Sequence, residues 1–264
     1  MIANRYKISE KIGEGCFGKI YKATNIRTGE KVAIKTETRD SPSQLLKNES
    51  KILHYLNKIP GIPEMKWYYV DTKNNYMVMS LLGESLTDLL HKKRVFPMKW
   101  INEIGIQILS ILQDIHTKGI IHRDIKPDNF LFGLNENLEK PTIYLIDFGF
   151  AKCFINENGG HIETKKKTKI VGTMNYISVN VHDLYEPSRR DDLESMLYMI
   201  VFFYYGSLDW MNETEEIKIK EAKKNLKNRA GLPEKIRRMI EYIQGLFFEE
   251  EPNYDYLIEL FSID

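Results

Sequence analysis

Between Ile121 and Phe132 the chain reads IHRDIKPDNFLF. Asp124, Lys126 and Asn129 stand almost side by side, with apolar residues on both flanks. Polar heads of three kinds must reach water or a ligand, while the flanks must be buried. A fold that accepts this stretch therefore needs a packed scaffold with one stiff loop on it, and Pro127 restricts that loop further. Taken alone, the stretch also fits an ordinary polar connector between a helix and a strand. The 264 residues suffice for one large domain or two unequal lobes.

The first third reads as strands. YKISEKIG, GKIYKAT, KVAIKTE, MKWYYVDT and NYMVMSL are short runs rich in β-branched and aromatic residues. Turn chemistry at Asn25–Gly29 and Asp71–Asn75 separates some of them. One helix interrupts the set: Ser43 is its expected N-cap, and Leu45, Leu46, Ile52, Leu53 and Leu56 recur at helical spacing around Glu49. The remainder reads as mainly helical. Met98 to Gly119 is periodic and stops at a glycine, and DDLESMLYMIVFFYYG is apolar nearly all round, hence central. Two more helices are expected, from Thr214 to Ala230 and from Pro233 to Phe248, with Pro233 at the first helical position. The character changes near Leu82–Gly83, which divides residues 1–82 from residues 83–264.

Three further signals share an order with the opening stretch. Gly13, Gly15 and Gly18, followed by Lys19-Ile20-Tyr21, permit close backbone approach to a polyphosphate; an ordinary hairpin turn reads the same way. Flanking strands argue against a dinucleotide-binding fingerprint, which needs a helix there. Val32-Ala33-Ile34-Lys35 is a strand ending in a lysine, either an edge charge facing water or a point charge for phosphates. Glu49 is the carboxylate to orient it. Tyr144-Leu145-Ile146-Asp147-Phe148-Gly149 is a buried strand ending in an acid that suits a magnesium ion.

In this order the four signals resemble the eukaryotic protein kinase family over nearly the whole chain. A narrower resemblance is to casein kinase 1: LLGESLTDLL, YLIDFGFAK, GTMNYISVNVH, SRRDDLES and EEPNYDYLIELF all look like that family, and Ser178-Val179-Asn180 stands where most kinases carry Ala-Pro-Glu. The resemblance implies an α+β, bilobal protein kinase-like fold, with a small antiparallel β-rich N-lobe carrying one helix and a larger, mainly helical C-lobe. It implies ATP and Mg2+ as cofactors and transfer of the γ-phosphoryl group to serine or threonine. Asp124 would be the base and Lys126 the phosphate contact, with Lys35 and Glu49 as the ATP-orienting pair. Asn129 and Asp147 would be the magnesium ligands. Ile12, Gly13, Gly15, Gly18, Ile20, Ala33, Met79, Leu82 and Leu131 would surround the nucleotide, with Met79 as gatekeeper and Leu82 meeting adenine through its backbone. Thr173 resembles the threonine that helps form the catalytic site, and Asp191 would brace the catalytic loop.

The resemblance also implies substrates with acidic or phosphorylated residues near the acceptor. Asn175 stands where the family usually has arginine, which removes one charge-assisted contact. Lys165, Lys166, Lys167 and Lys169 are the candidate substitutes; a solvated loop or a nuclear import signal is the other reading of that run. The basic segment Lys218 to Arg229 binds a partner or nothing.

A net charge of +1 gives no whole-chain field for nucleic acid or membrane. Cys16 and Cys153 form no CxxC or Cys/His cluster, so a reducing compartment is expected, cytoplasmic and in part nuclear. The N-terminus is too polar for a signal peptide, and the run Met196–Tyr205 is too short to span a bilayer. A monomer is expected. The main rival is a catalytically inactive kinase-fold scaffold. A small-molecule kinase and the vaccinia-related kinase branch are weaker rivals.

Overall fold

The structure is a computed structural model that describes residues 1–15, 18–42, 44–134 and 141–262. The chain forms two compact units. Met1–Glu84 with Leu131–Gly149 make the first, and Ser85–Phe130 with Phe150–Asp264 make the second.

The first unit is built on five antiparallel strands: β1 (Tyr6–Gly15), β2 (Gly18–Asn25), β3 (Lys31–Thr38), β4 (Met65–Val70) and β5 (Asn74–Ser80), in the order β1-β2-β3-β5-β4. Alternation sorts side chains to the two faces. Val32, Ile34, Ala23 and Val78 pack with Ile2 and Tyr6 on one face, edged by the partly buried Trp67, Tyr69 and Tyr76. Ala33 and Lys35 therefore point to the other. Gly15 and Gly18 are register partners at the end of the first hairpin. A Cβ on Gly18 would fall 1.7 Å from the Thr36 carbonyl oxygen, at a φ of +142°, so only glycine fits.

Helix α1 (Leu45–Tyr55) buries Leu46, Ile52 and Leu53 together with Glu49. Ser43 and Cys16 lie outside the described residues. The N-cap position is Gln44, in the left-handed region at φ 44°, without a side-chain cap bond. The Leu45 amide donates instead to the Glu37 carboxylate at 2.9 Å. In the returning segment, strand Phe130–Phe132 pairs with Ile143–Leu145, and the Leu145 amide reaches the Gly61 carbonyl at 2.8 Å.

The second unit is mainly helical: α2 (Leu86–Lys93), α3 (Met98–Thr117), α4 (Val179–His182), α5 (Arg189–Tyr205), α6 (Glu216–Lys224), α7 (Glu234–Gly245) and α8 (Tyr254–Ser262). Ile101, Ile104, Ile108, Leu112 and Ile115 of α3 are fully buried at helical spacing, and α5 is buried on all sides. The glycine stop expected at Gly119 has a left-handed φ of 77°, and Gly206 ends α5 in the same way at 73°. Both later helices are shorter than expected at each end, the first starting at Glu216 and the second ending at Gly245. The expected helix to Ala230 ends at Lys224, followed by a 3-10 turn over Leu226–Asn228. The last predicted helix starts at Glu234, because Pro233 keeps an extended ψ of 141° and serves as N-cap. No helix among the described residues is long and apolar enough to cross a membrane.

Helices α3 and α8 meet at Gly105, where an added Cβ would lie 2.4 Å from the ring of the buried Phe261. Alanine raises helix propensity by about 1 kcal/mol, but overpacking costs about 1–3 kcal/mol. Gly105→Ala is expected to lower stability by about 1 kcal/mol in a denaturant melt. A more stable variant would mean that the ring moves aside freely.

Candidate active site

In the second unit, the loop of the IHRDIKPDN stretch is anchored by its apolar neighbours. Ile121, Ile125 and Phe130 are buried. Between them the backbone turns sharply, with Arg123 at φ 69°, a conformation that costs about 1–3 kcal/mol for a non-glycine residue unless neighbours enforce it. The enforcement comes from Asp192 on α5. The amides of His122 and Arg123 donate to its two carboxylate oxygens at 2.7 and 2.8 Å, and the Arg123 guanidinium donates to the Phe150 carbonyl at 2.6 Å.

This corrects the expectation for Asp191. Its carboxylate accepts the Ser178 hydroxyl at 2.5 Å and the Ser188 amide at 2.7 Å instead of the loop amides. Successive residues on a helix diverge by about 100°, so the two neighbouring acids serve different partners. The Ser178-Val179-Asn180 segment is tied to α5 in the same way, since the Val179 amide donates to Glu194 at 3.1 Å. Burial pushes the Glu194 carboxyl up to about 6.

On this scaffold Asp124, Lys126, Asn129 and Thr173 converge. The Asp124 carboxylate accepts the Thr173 hydroxyl at 2.7 Å and pairs with the Lys126 ammonium at 2.8 Å. Lys126 also donates to the Thr173 oxygen at 2.9 Å. The Asn129 amide nitrogen donates to the Asp124 carbonyl at 2.8 Å, which leaves its amide oxygen facing the other way. Asp124 and Asn129 are buried, so their geometry is set by the loop rather than by solvent.

The first unit holds a second constellation. The Lys35 ammonium donates to Glu49 and to Asp147, each at 2.7 Å. Glu49 also accepts the Phe148 amide. Burial opposes the charge on Lys35, yet the two carboxylates outweigh it and hold the ammonium above its usual range. Asp147 takes a left-handed φ of 64° to reach it. Strand register brings the other first-unit candidates into two rows: Gly13, Ile20 and Lys35 in one, Ala33 and Met79 in the next. Leu82 is the second residue after β5 and Leu131 lies in the returning strand, while Ile12 is exposed.

The basic run is not one patch. Lys166 donates to the Asp183 carbonyl at 2.6 Å and lies over the Tyr185 ring, and Lys167 pairs with Glu186 at 3.3 Å. Lys165 and Lys169 are exposed. Glu186 is wholly buried and also pairs with Lys152 at 2.9 Å; burial would raise its pKa, but the two lysines keep it below the usual range. Cys153 is a free, exposed thiol.

With this geometry in place, the comparison with known families is direct. The model of the protein kinase domain matches residues 6–246. The chain belongs to the protein kinase domain family. Its five-stranded antiparallel sheet, followed by a helical remainder, is the two-part arrangement expected of that family. The family's chemistry is phosphoryl transfer to protein substrates.

Proposed function

We propose that the chain is a serine/threonine protein kinase of casein kinase 1 type, transferring the ATP γ-phosphoryl group to hydroxyls in acidic contexts. The observation that supports this most is the triangle of Asp124, Lys126 and Thr173. A carboxylate held against one hydroxyl by an adjacent ammonium is suited to accept a proton from another. In the proposed reaction Asp124 orients the substrate hydroxyl and takes its proton as the Oγ–P bond forms. Lys126 offsets charge on the moving phosphoryl group, and the ADP oxygen leaves in line. Lys35, fixed by Glu49, holds the nucleotide phosphates, and Ile20, Ala33 and Met79 offer apolar contact to adenine.

Asn129 and Asp147 supply an amide and a carboxylate oxygen, a donor set suited to a hard cation. Mg2+ held by them would neutralise phosphate charge. The Ser178-Val179-Asn180 tie to α5 and the SRRDDLES helix start support the casein kinase 1 reading.

Acidic preference is expected to be modest. Two of the four candidate lysines are engaged within the chain, leaving Lys165 and Lys169 exposed. Exposed pairs give about 0.2–1 kcal/mol each, so an acidic peptide should exceed a neutral one by about fivefold in kcat/KM. The test is transfer of label from γ-labelled ATP, with Mg2+, to casein and to matched acidic, phosphorylated and neutral peptides. Label on serine or threonine, with the acidic peptide favoured, supports the reading. Folded, nucleotide-binding protein that transfers nothing would make it a scaffold; equal rates on all peptides would end the acidic-context reading.

A further inference from the structure

A buried lysine remote from the reacting groups holds the backbone just after Thr173. Lys223, on α6, lies within the basic segment but is wholly buried. Its Nζ donates to the Met174 carbonyl at 2.8 Å and the Ile177 carbonyl at 2.7 Å. It stands 3.1 Å from Nε2 of His182, whose Nδ1 lies 3.3 Å from Glu216. A ring protonated at Nδ1 donates to Glu216 and leaves Nε2 to accept, so the three donors of an ammonium meet three acceptors. The rings of Tyr198 and Trp210 face the same nitrogen at 5.0 and 5.6 Å. Trp210 adds a bond of its own, from Nε1 to the Asn175 carbonyl at 2.9 Å.

The carbonyls of Met174, Asn175 and Ile177 are thus all held by side chains from other elements. The segment's own backbone contributes the Tyr176 and Ile177 amides, which donate to the Thr173 carbonyl at 2.8 and 3.0 Å. Fixing residues 174–177 fixes the approach of Thr173 to Asp124. It also fixes the presentation of Met174, whose side chain faces solvent.

Burying an ammonium is unfavourable for stability, and an apolar residue of similar volume commonly does as well or better in such places. Burial pushes this amine down to about 7, with the Glu194 charge opposing. A site that is costly to keep charged, yet lined with three acceptors and two ring faces, favours a positional role over a stabilising one. Resting on the kinase reading above, we infer that Lys223 is a positioning residue that sets the path of Met174–Ile177 and so the surface met by a protein substrate.

Lys223→Met keeps chain length and removes every donor. It is expected to lower kcat/KM for a peptide substrate by about tenfold, mainly through KM, since small misplacements of substrate are costly. KM for ATP should not change, because Lys35 belongs to the other compact unit. Amide hydrogen exchange at residues 172–178 should quicken while α3 and α5 stay protected. A folded variant with unchanged peptide KM and unchanged exchange there would overturn the inference. So would an equal loss for ATP and peptide, which marks a merely structural residue. Should Lys223→Met not fold, Trp210→Phe removes the bond to Asn175 and shrinks the ring facing Lys223, while both carbonyl bonds of Lys223 stay; a rise of about threefold in peptide KM with faster local exchange is then expected, and wild-type behaviour overturns the inference. The exchange arm needs no turnover. A wild type that transfers no phosphate would refute the proposed function while leaving that arm to decide on Lys223.

Discussion

Asp124→Asn is expected to abolish measurable phosphoryl transfer while leaving the protein folded and able to bind nucleotide. The substitution changes almost no volume. The new amide oxygen can still accept the Thr173 hydroxyl that Asp124 accepts at 2.7 Å. What is lost is the proton acceptor, together with the ion pair to Lys126 at 2.8 Å. A positioned base contributes about 10²–10⁴ in rate, and an amide cannot take the proton, so kcat should fall by about a thousandfold. Lys35, Glu49 and Asp147 form their own cluster in the first unit, so nucleotide affinity should stay within about twofold. Label transfer to casein and titration with a fluorescent ATP analogue read the two quantities separately. Transfer equal to wild type would mean a contaminating kinase or a base elsewhere. Loss of nucleotide binding would mean that the substitution disturbs more than the proposed base.

Much of this arrangement is legible before any coordinates. Lys35, Asp124, Lys126, Asn129 and Asp147 sit in short contiguous motifs, where residue type and order carry the information. Helix α3 is legible because core packing imposes a helical period on it, α5 because it is a long run apolar nearly all round, and a left-handed glycine follows each. The failures share a cause: they depend on contacts between distant parts of the chain. Asp191 and Asp192 are chemically identical neighbours, and only the packing of α5 beside His122 and Arg123 tells them apart. Lys223 reads as one more charge in a basic segment until its three acceptors are seen to come from Met174, Ile177 and His182. No sequence signal singles out Glu186, yet it is buried between Lys152 and Lys167. Helices α2 and α8 span only a few turns, and short elements give periodicity little to work with. In α2 a local signal did exist: the Ser85 hydroxyl and Asp88 carboxylate cap one another's amides at 3.0 Å, a pattern readable from spacing alone.

The same distant contacts carry the largest expected effect on stability, at Asp192. Its carboxylate is fully buried and accepts the His122 and Arg123 amides as well as Nε2–H of His116 at 3.0 Å. The opposite ring nitrogen of His116 meets the Tyr254 hydroxyl on α8, so one acid links the catalytic loop, α3, α5 and α8 within the second unit. Asp192→Asn preserves shape but turns an NH2 toward groups that are themselves donors. Breaking a buried charged network from one side costs about 3–5 kcal/mol, and a buried amide left without an acceptor adds about 1–3 kcal/mol. A loss of about 3 kcal/mol at pH 7 is therefore the lower expectation. Burial alone would raise the Asp192 pKa, but the bonds from His116 and His122 outweigh it and hold the carboxyl below its usual range. A folded pKa below the unfolded one means that the unfolded chain binds more protons, so the Asp192 contribution is full above about pH 4 and fades as acid is added. The gap between wild type and variant should thus be full at pH 7 and should shrink below about pH 4. Urea melts of both proteins across that range measure it. A gap under about 1 kcal/mol at neutral pH, or one that grows in acid below about pH 4, would show that the loop is held by something other than this carboxylate.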